Sequence, residues 1–169
     1  RSSSTREEGT RTVRPASSMV YAIFSVFSLA TTPLADSESM SENSTVYVGG
    51  SFWVIGGQRR MLLAAVDATT GCLRAWDPGV SSVLYDYDVE PSVSALAISG
   101  DRLYLAGHFT RAGGQVRGGI ASVDLATGGA TDWNPNPIDE RRLVRAPVIE
   151  SMAVRGGVAY VGGYTAIGP

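Results

Sequence analysis

The apolar positions of this chain alternate over short stretches, and glycine-bearing turns break them every few residues. Ser92–Ser99 (SVSALAIS) alternates Val93, Ala95 (with Leu96 and Ala97) and Ile98, the pattern of a mostly buried strand. Gly100-Asp101 supplies a two-residue turn. A second strand follows over residues 102–109, with Leu103, Leu105 and Gly107 on one face and Tyr104, Ala106 and His108 on the other. Gly113-Gly114-Gln115 marks a loop, and residues 119–125 (GIASVDL) read as a third strand. Thr127-Gly128-Gly129 then turns the chain into a short fourth strand, residues 130–133, that ends at Asn134-Pro135.

This pattern occurs more than once. Residues 46–78 (VYVGGSFWVIGGQRRMLLAAVDATTGCLRAWDP) align without a gap with residues 103–135 (LYLAGHFTRAGGQVRGGIASVDLATGGATDWNP). The offset is constant, 104 − 47 = 57 for the tyrosines and 133 − 76 = 57 for the tryptophans. A third copy opens at Ala159 (AYVGGYTAIGP), with Tyr160 at 160 − 104 = 56. A period near 57 built from short antiparallel strands predicts a repeat architecture whose unit is the four-stranded blade of a β-propeller. The first copy (residues 46–78) shows no convincing innermost strand. The second (residues 92–135) is full, and the third (residues 148–169) holds only the first two strands.

The repeated residues have structural reasons to repeat. Gly50 and Gly107 lie inside strands, where glycine signals close approach by another backbone. Gly56-Gly57 and Gly113-Gly114 permit positive φ. Asp67-x-x-Thr70-Gly71 and Asp124-x-x-Thr127-Gly128 form turns in which the carboxylate accepts backbone N–H bonds. Trp76 and Trp133 stand at matching places, where a large ring covers the gap to the next unit.

The series Tyr47-Val48-Gly49-Gly50-Ser51-Phe52, Gly56-Gly57-Gln58, Val66-Asp67, Thr70-Gly71 and Trp76-Asp77-Pro78, with its counterpart from Tyr104 to Pro135, resembles the delta-60 β-propeller repeat. The resemblance covers about three-quarters of the chain, from Val46 onward. It implies an all-β fold of propeller blades in an incomplete or open ring, within a secreted or surface protein, and it brings no catalytic residues. The chain then reads as about two and a half blades of a larger propeller, with apolar surface exposed at both ends and a tendency to self-associate. A second resemblance, of Ala65-x-Asp67-x-x-Thr70-Gly71 and Trp76 to the tryptophan-docking repeat of quinoprotein dehydrogenases, departs in spacing. Four residues separate glycine from tryptophan where that motif has three.

Composition narrows the function classes. The net charge of −2 gives no basic field for nucleic acid. All 14 basic residues are arginine. A single cysteine, Cys72, excludes an internal disulfide and reads as a buried or half-buried thiol. His108, the one histidine, reads as a polar strand residue, so no catalytic triad, metal set or cofactor site is expected. Residues 1–45 read as a disordered lead and linker around an apolar run, residues 19–30 (MVYAIFSVFSLA), which is too short to span a bilayer. Arg11 and Arg14 before it and small residues after it make the pattern of a secretory signal; as a strand, the run would belong to a degenerate preceding repeat.

The connectors between units differ most. Tyr85, Asp86, Tyr87 and Asp88 make an acidic, aromatic stretch, and Arg141, Arg142 and Arg145 a basic one. In a propeller both emerge on the same face, which makes them the expected contact surface for a protein or glycan partner. The leading function is therefore a non-catalytic binding or structural scaffold. The alternatives are the propeller of an enzyme of quinoprotein or glycan-processing type, and a purely structural array. If Trp133 docks between units, Trp133→Ala lowers unfolding stability by about 3–5 kcal/mol in denaturant titrations; a loss under about 1 kcal/mol removes that role.

Overall fold

The computed structural model describes residues 26–31, 45–83, 90–135 and 148–164. Among these the chain is all-β: small antiparallel sheets, no helix and no closed barrel. The first module holds β1 (Val26–Thr31), β2 (Thr45–Gly50), β3 (Val54–Ile55), β4 (Gln58–Arg59) and β5 (Leu63–Asp67). The second holds β6 (Ser92–Ser99), β7 (Arg102–His108), β8 (Arg111–Ala112), β9 (Gln115–Val116) and β10 (Ile120–Asp124). β11 (Val148–Arg155) and β12 (Val158–Tyr164) form a third sheet.

The two complete modules match strand for strand. Their sheets run β1-β2-β5 and β6-β7-β10. Tyr47 faces Ala65 as Tyr104 faces Ser122, and Gly49 faces Leu63 as Ala106 faces Ile120. The Gly-Gly-Gln stretch, expected to be a loop, is the tip of a small hairpin in each module, β3–β4 and β8–β9. Gly56 and Gly57 (φ 57° and 75°) take the two left-handed positions that a tight hairpin with the strands' twist requires. Leu62 is the only non-glycine residue of the described set with positive φ, at 65°, and its counterpart is Gly119 at 74°. Left-handed backbone costs a leucine about 1–2 kcal/mol, which the near-complete burial of its side chain, worth about 1.5–3 kcal/mol, offsets.

Two expectations change. The short fourth strand contracts to single bridges, Val66↔Leu73 and Val123↔Ala130. Arg74 N–H still donates to Ala65 O (2.8 Å) and Thr131 N–H to Ser122 O (2.9 Å) before Trp-x-Pro carries the chain away. The first module, for which the sequence shows no convincing innermost strand, has one: β1 pairs with β2 as β6 pairs with β7. The register shifts at the same place in all three sheets, between Val26 and Ser28, Val93 and Ala95, and Ile149 and Ser151. Because of this bulge, Val93, Leu96 and Ile98 share one face of the second sheet with Leu103 and Leu105, while Ala95 and Ala97 join Tyr104 and Ala106.

The sheets stack face to face. Tyr47, Leu63 and Ala65 of the first module pack against Val93, Leu96, Leu103, Leu105 and Val123 of the second. On the far side of the second sheet, Ala95, Ala106 and Ile120 pack against Ile149, with half-buried Trp133 and Met152 beside them. Gly49 lies in the first seam. A Cβ there would come within 2.7 Å of Val93 Cγ1, so glycine is what lets β6 approach. The hydroxyl of Ser94, the bulge residue, donates to Ile149 O across the second seam.

Among the described residues the exposed large apolar side chains are Trp53 of the first module, Val83, and three residues of β12. Val158, Tyr160 and Val161 of β12 are exposed, whereas Val48, Ala64 and Val66, on the outer face of the first module, are buried. Phe52 and Ile55, beside and on the β3–β4 hairpin, pack with Val48, Ala64 and Val66 on that face.

One buried group is poorly served. Ser122 is fully buried and its hydroxyl has no hydrogen-bond partner; the first module has Ala65 in its place. Since an unsatisfied buried hydroxyl costs about 1–3 kcal/mol, Ser122→Ala is expected to raise unfolding free energy by about 1 kcal/mol, read from the denaturant midpoint.

Candidate functional site

The seven residues expected to form a partner surface, Tyr85, Asp86, Tyr87, Asp88, Arg141, Arg142 and Arg145, lie outside the described residues. The described residues on either side of the first connector are held in place. After Pro78 the chain runs along the second module as a strap. Ser81 bridges Arg111, donating N–H to Arg111 O (3.1 Å) and accepting from the amides of Thr110 and Arg111 (both 3.0 Å). Gly113 N–H donates to Pro78 O (2.7 Å), and Val83 N–H to Thr110 Oγ1 (2.9 Å). The strap buries Val80 and ends at exposed Val83. Beyond the connector, Ser51 Oγ donates to the Glu90 carboxylate (3.3 Å), so both ends are fastened.

Beside the strap is an open depression of about 230 Å³, lined by Arg59, Arg60, Met61, Asp77, Gly79, Val80 and Ser81. Its polar feature is the pair Arg60 Nε–Asp77 Oδ2 (3.5 Å). Arg60 is held by Nη1 donating to Arg59 O (2.9 Å), and Asp77 Oδ1 accepts from Gly79 N–H (2.9 Å). The second module keeps the arginine and replaces the aspartate by Asn134. Arg117 is buried, and its Nη1 and Nη2 donate to Val116 O (2.8 Å) and Thr131 O (2.9 Å). The exposed guanidinium of Arg59 beside a carboxylate suits polar contact, not proton transfer: no imidazole or second carboxylate lines the depression. The sequence singled out Trp76-Asp77-Pro78 for the repeat and overlooked this depression; the signal was the Asp77/Asn134 difference beside the unchanged Arg60/Arg117.

His108 is buried in β7. Cys72, expected to be buried or half-buried, is exposed, because it sits on the rim of the Asp67 turn with its N–H donating to Thr70 Oγ1 (3.2 Å). Among the described residues no group of three or more His, Cys, Asp or Glu is placed to hold a metal ion, and no helix is long and apolar enough to cross a membrane.

The two aspartate turns form as expected and are near copies. Asp67 Oδ1 accepts from the amides of Thr69 (3.0 Å) and Thr70 (2.8 Å) and from the Thr70 hydroxyl (3.0 Å). Asp124 Oδ1 accepts from the amides of Ala126 (3.0 Å) and Thr127 (2.7 Å) and from the Thr127 hydroxyl (2.8 Å). The Thr70 amide and hydroxyl hold the Asp67 carboxyl below its ordinary value of 3.8, with a smaller contribution from Arg74 across an ion pair of 2.7 Å. The Thr127 hydroxyl and amide do the same for Asp124, with Arg102 adding to them. Burial raises the Tyr47 phenol, and the Arg74 guanidinium offsets part of that rise.

No protein-family model, no curated protein and no solved structure matches the chain.

A carboxyl with a lower pKa folded than unfolded adds stability above the unfolded value and loses it as pH falls through the folded one. Unfolding free energy is therefore expected to be level near neutrality and to drop as pH falls below about 4. In the double variant Asp67→Asn, Asp124→Asn the drop becomes shallower while neutral stability falls; denaturant titrations across the acid range check both.

Proposed function

We propose that the chain is a run of β-propeller blades of the delta-60 type and serves as a non-catalytic scaffold in an exported or cell-surface protein. Its inter-blade connectors, with Tyr85, Asp86, Tyr87, Asp88, Arg141, Arg142 and Arg145, are the surface offered to a protein or glycan partner. One observation carries the reading. Two sheets related by a 57-residue offset (104 − 47) share strand order, pairing register, bulge, aspartate turn and Tyr–Trp contact, and they stack face to face. Radial stacking of such sheets is how propellers bury faces that a single small sheet leaves open. The strap from residue 78 onward lends support, since it ties the first unit to the second.

Export rests on residues 19–30, and β1 draws on the same run. Cleavage behind Ala30 would remove all but one residue of β1, so export and an intact first module together require an uncleaved apolar run or a cut before Val26. The test is fractionation of cells producing the reading frame, with the mature N-terminus read by mass spectrometry. The expected outcome is protein at the surface or in the medium that retains Val26–Thr31. Protein confined to the cytosol overturns the export part. Substituting the seven connector residues by alanine is expected to leave thermal unfolding unchanged and to abolish surface cross-links to the partner.

A further inference from the structure

The residues lining the depression beside the strap set the first module apart from the second. Arg60 recurs as Arg117. At the same 57-residue offset (117 − 60), Arg59, Met61, Asp77 and Ser81 give way to Val116, Gly118, Asn134 and Ile138. The residues of the stacking seam do the opposite: Tyr47, Asp67 and Trp76 return as Tyr104, Asp124 and Trp133. Stacking therefore does not call for an exposed arginine, a carboxylate and a hydroxyl at this place.

The polar groups there are held on fixed backbone and are only partly used. Arg59 is exposed, and its guanidinium takes part in no hydrogen bond or ion pair among the described residues. Arg60 and Asp77 pair loosely. Their Nε and Oδ2 are 3.5 Å apart, and the buried Nε has no hydrogen-bond partner. Asp77 Oδ1 already accepts from Gly79 N–H, so Oδ2 is the oxygen left to accept from a ligand. The Ser81 hydroxyl is likewise unused among the described residues, while its backbone is pinned to Thr110 and Arg111. Buried Val80 and half-buried Met61 supply the apolar part of the lining.

We propose that this depression binds a small hydroxylated monocarboxylate of the sugar-acid kind. Arg59 offers the parallel N–H donors that a carboxylate fits. Asp77 Oδ2 and the Ser81 hydroxyl take the ligand's hydroxyls, and Met61 and Val80 meet its C–H face. Two cations against one anion leave a single net positive charge, which matches a monoanion; Asp77 repels the second charge of a phosphate dianion. The volume of about 230 Å³ lies below the roughly 300–1,000 Å³ of sites for drug-sized molecules, so one sugar ring is the unit it admits. The proposal goes beyond the scaffold reading and needs neither export nor the connector residues.

The test titrates the whole 169-residue chain, isotope-labelled for NMR, with D-glucuronate, glucose and inorganic phosphate. Saturable shifts centred on residues 59–61 and 77–81 are expected with glucuronate. Glucose is expected to bind at least about tenfold more weakly, as for loss of a hydrogen bond to a charged group. Arg59→Ala is expected to weaken glucuronate by a similar factor, and since Arg59 is exposed the variant keeps its fold. Asp77→Asn, which installs the second module's residue, removes the local negative charge and is expected to move selectivity toward phosphate. The proposal is overturned by equal binding of glucose, by phosphate binding the unaltered chain more tightly than glucuronate, or by unchanged affinity in Arg59→Ala. Unchanged selectivity in Asp77→Asn, shifts centred elsewhere, or no shifts at all overturn it too. Trigalacturonate separates the two sources of the ligand: tighter binding than glucuronate assigns the site to a uronate within a glycan, and equal or weaker binding assigns it to the free acid.

Discussion

Everything in this fold depends on an indole that belongs to one sheet and is held by two. Trp76 stands edge-on to Tyr47 of its own module at 73°, and its Nε1–H donates to Asp124 O of the next module at 3.4 Å. The ring thus bridges two three-stranded sheets that bury one face against each other. Around it the seam is close. Gly49 admits Val93 on one side, and on the other Asp77 and Pro78 rest against Gly128, where a Cβ would sit 3.4 Å from their backbone atoms. Glycine, indole and tyrosine therefore act as one device: the glycine sets how near the sheets come, and the aromatic pair fills what remains.

The turns and the strap serve the same seam from its rim. The Asp67 and Asp124 carboxylates gather the amides of the turns that lead toward each tryptophan, so the indole arrives on a stiff arm. The strap then takes hydrogen bonds from Thr110 and Arg111 of the following module. Most of its bonds join backbone to backbone across the two modules, and Val80 anchors it in the shared core.

Repeated residues were legible in the sequence because each was written twice. The Tyr–Trp pair, the aspartate turns and the paired glycines need specific side chains, and their spacing survives alignment. β1 was not legible, because its spacing is different: Val26 pairs with Gly50 as Val93 pairs with Gly107, so the inner strands are 93 − 26 = 67 residues apart while their partners are 107 − 50 = 57 apart. The bulge also breaks the strict alternation that marks a strand. The hairpin at each Gly-Gly-Gln was hidden by length, since two-residue strands carry no period to read. The depression beside Arg60 and Asp77 comes from the strap folding back, a long-range contact that no local pattern announces. The chosen connector residues could be picked only by composition, the weakest of these signals.

The difference between 67 and 57 has a use of its own. The turn joining the inner strand to the next is two residues long at Gly100-Asp101 and at Gly156-Gly157, yet thirteen residues, 32–44, stand there in the first module, with the pairing of β1 on β2 unaltered. Lengthening a closed loop adds little entropic cost, about 0.6 kcal/mol for each doubling. This corner of the module is a natural grafting port: foreign peptides inserted at Gly100-Asp101 should be carried by the framework with its strand register undisturbed.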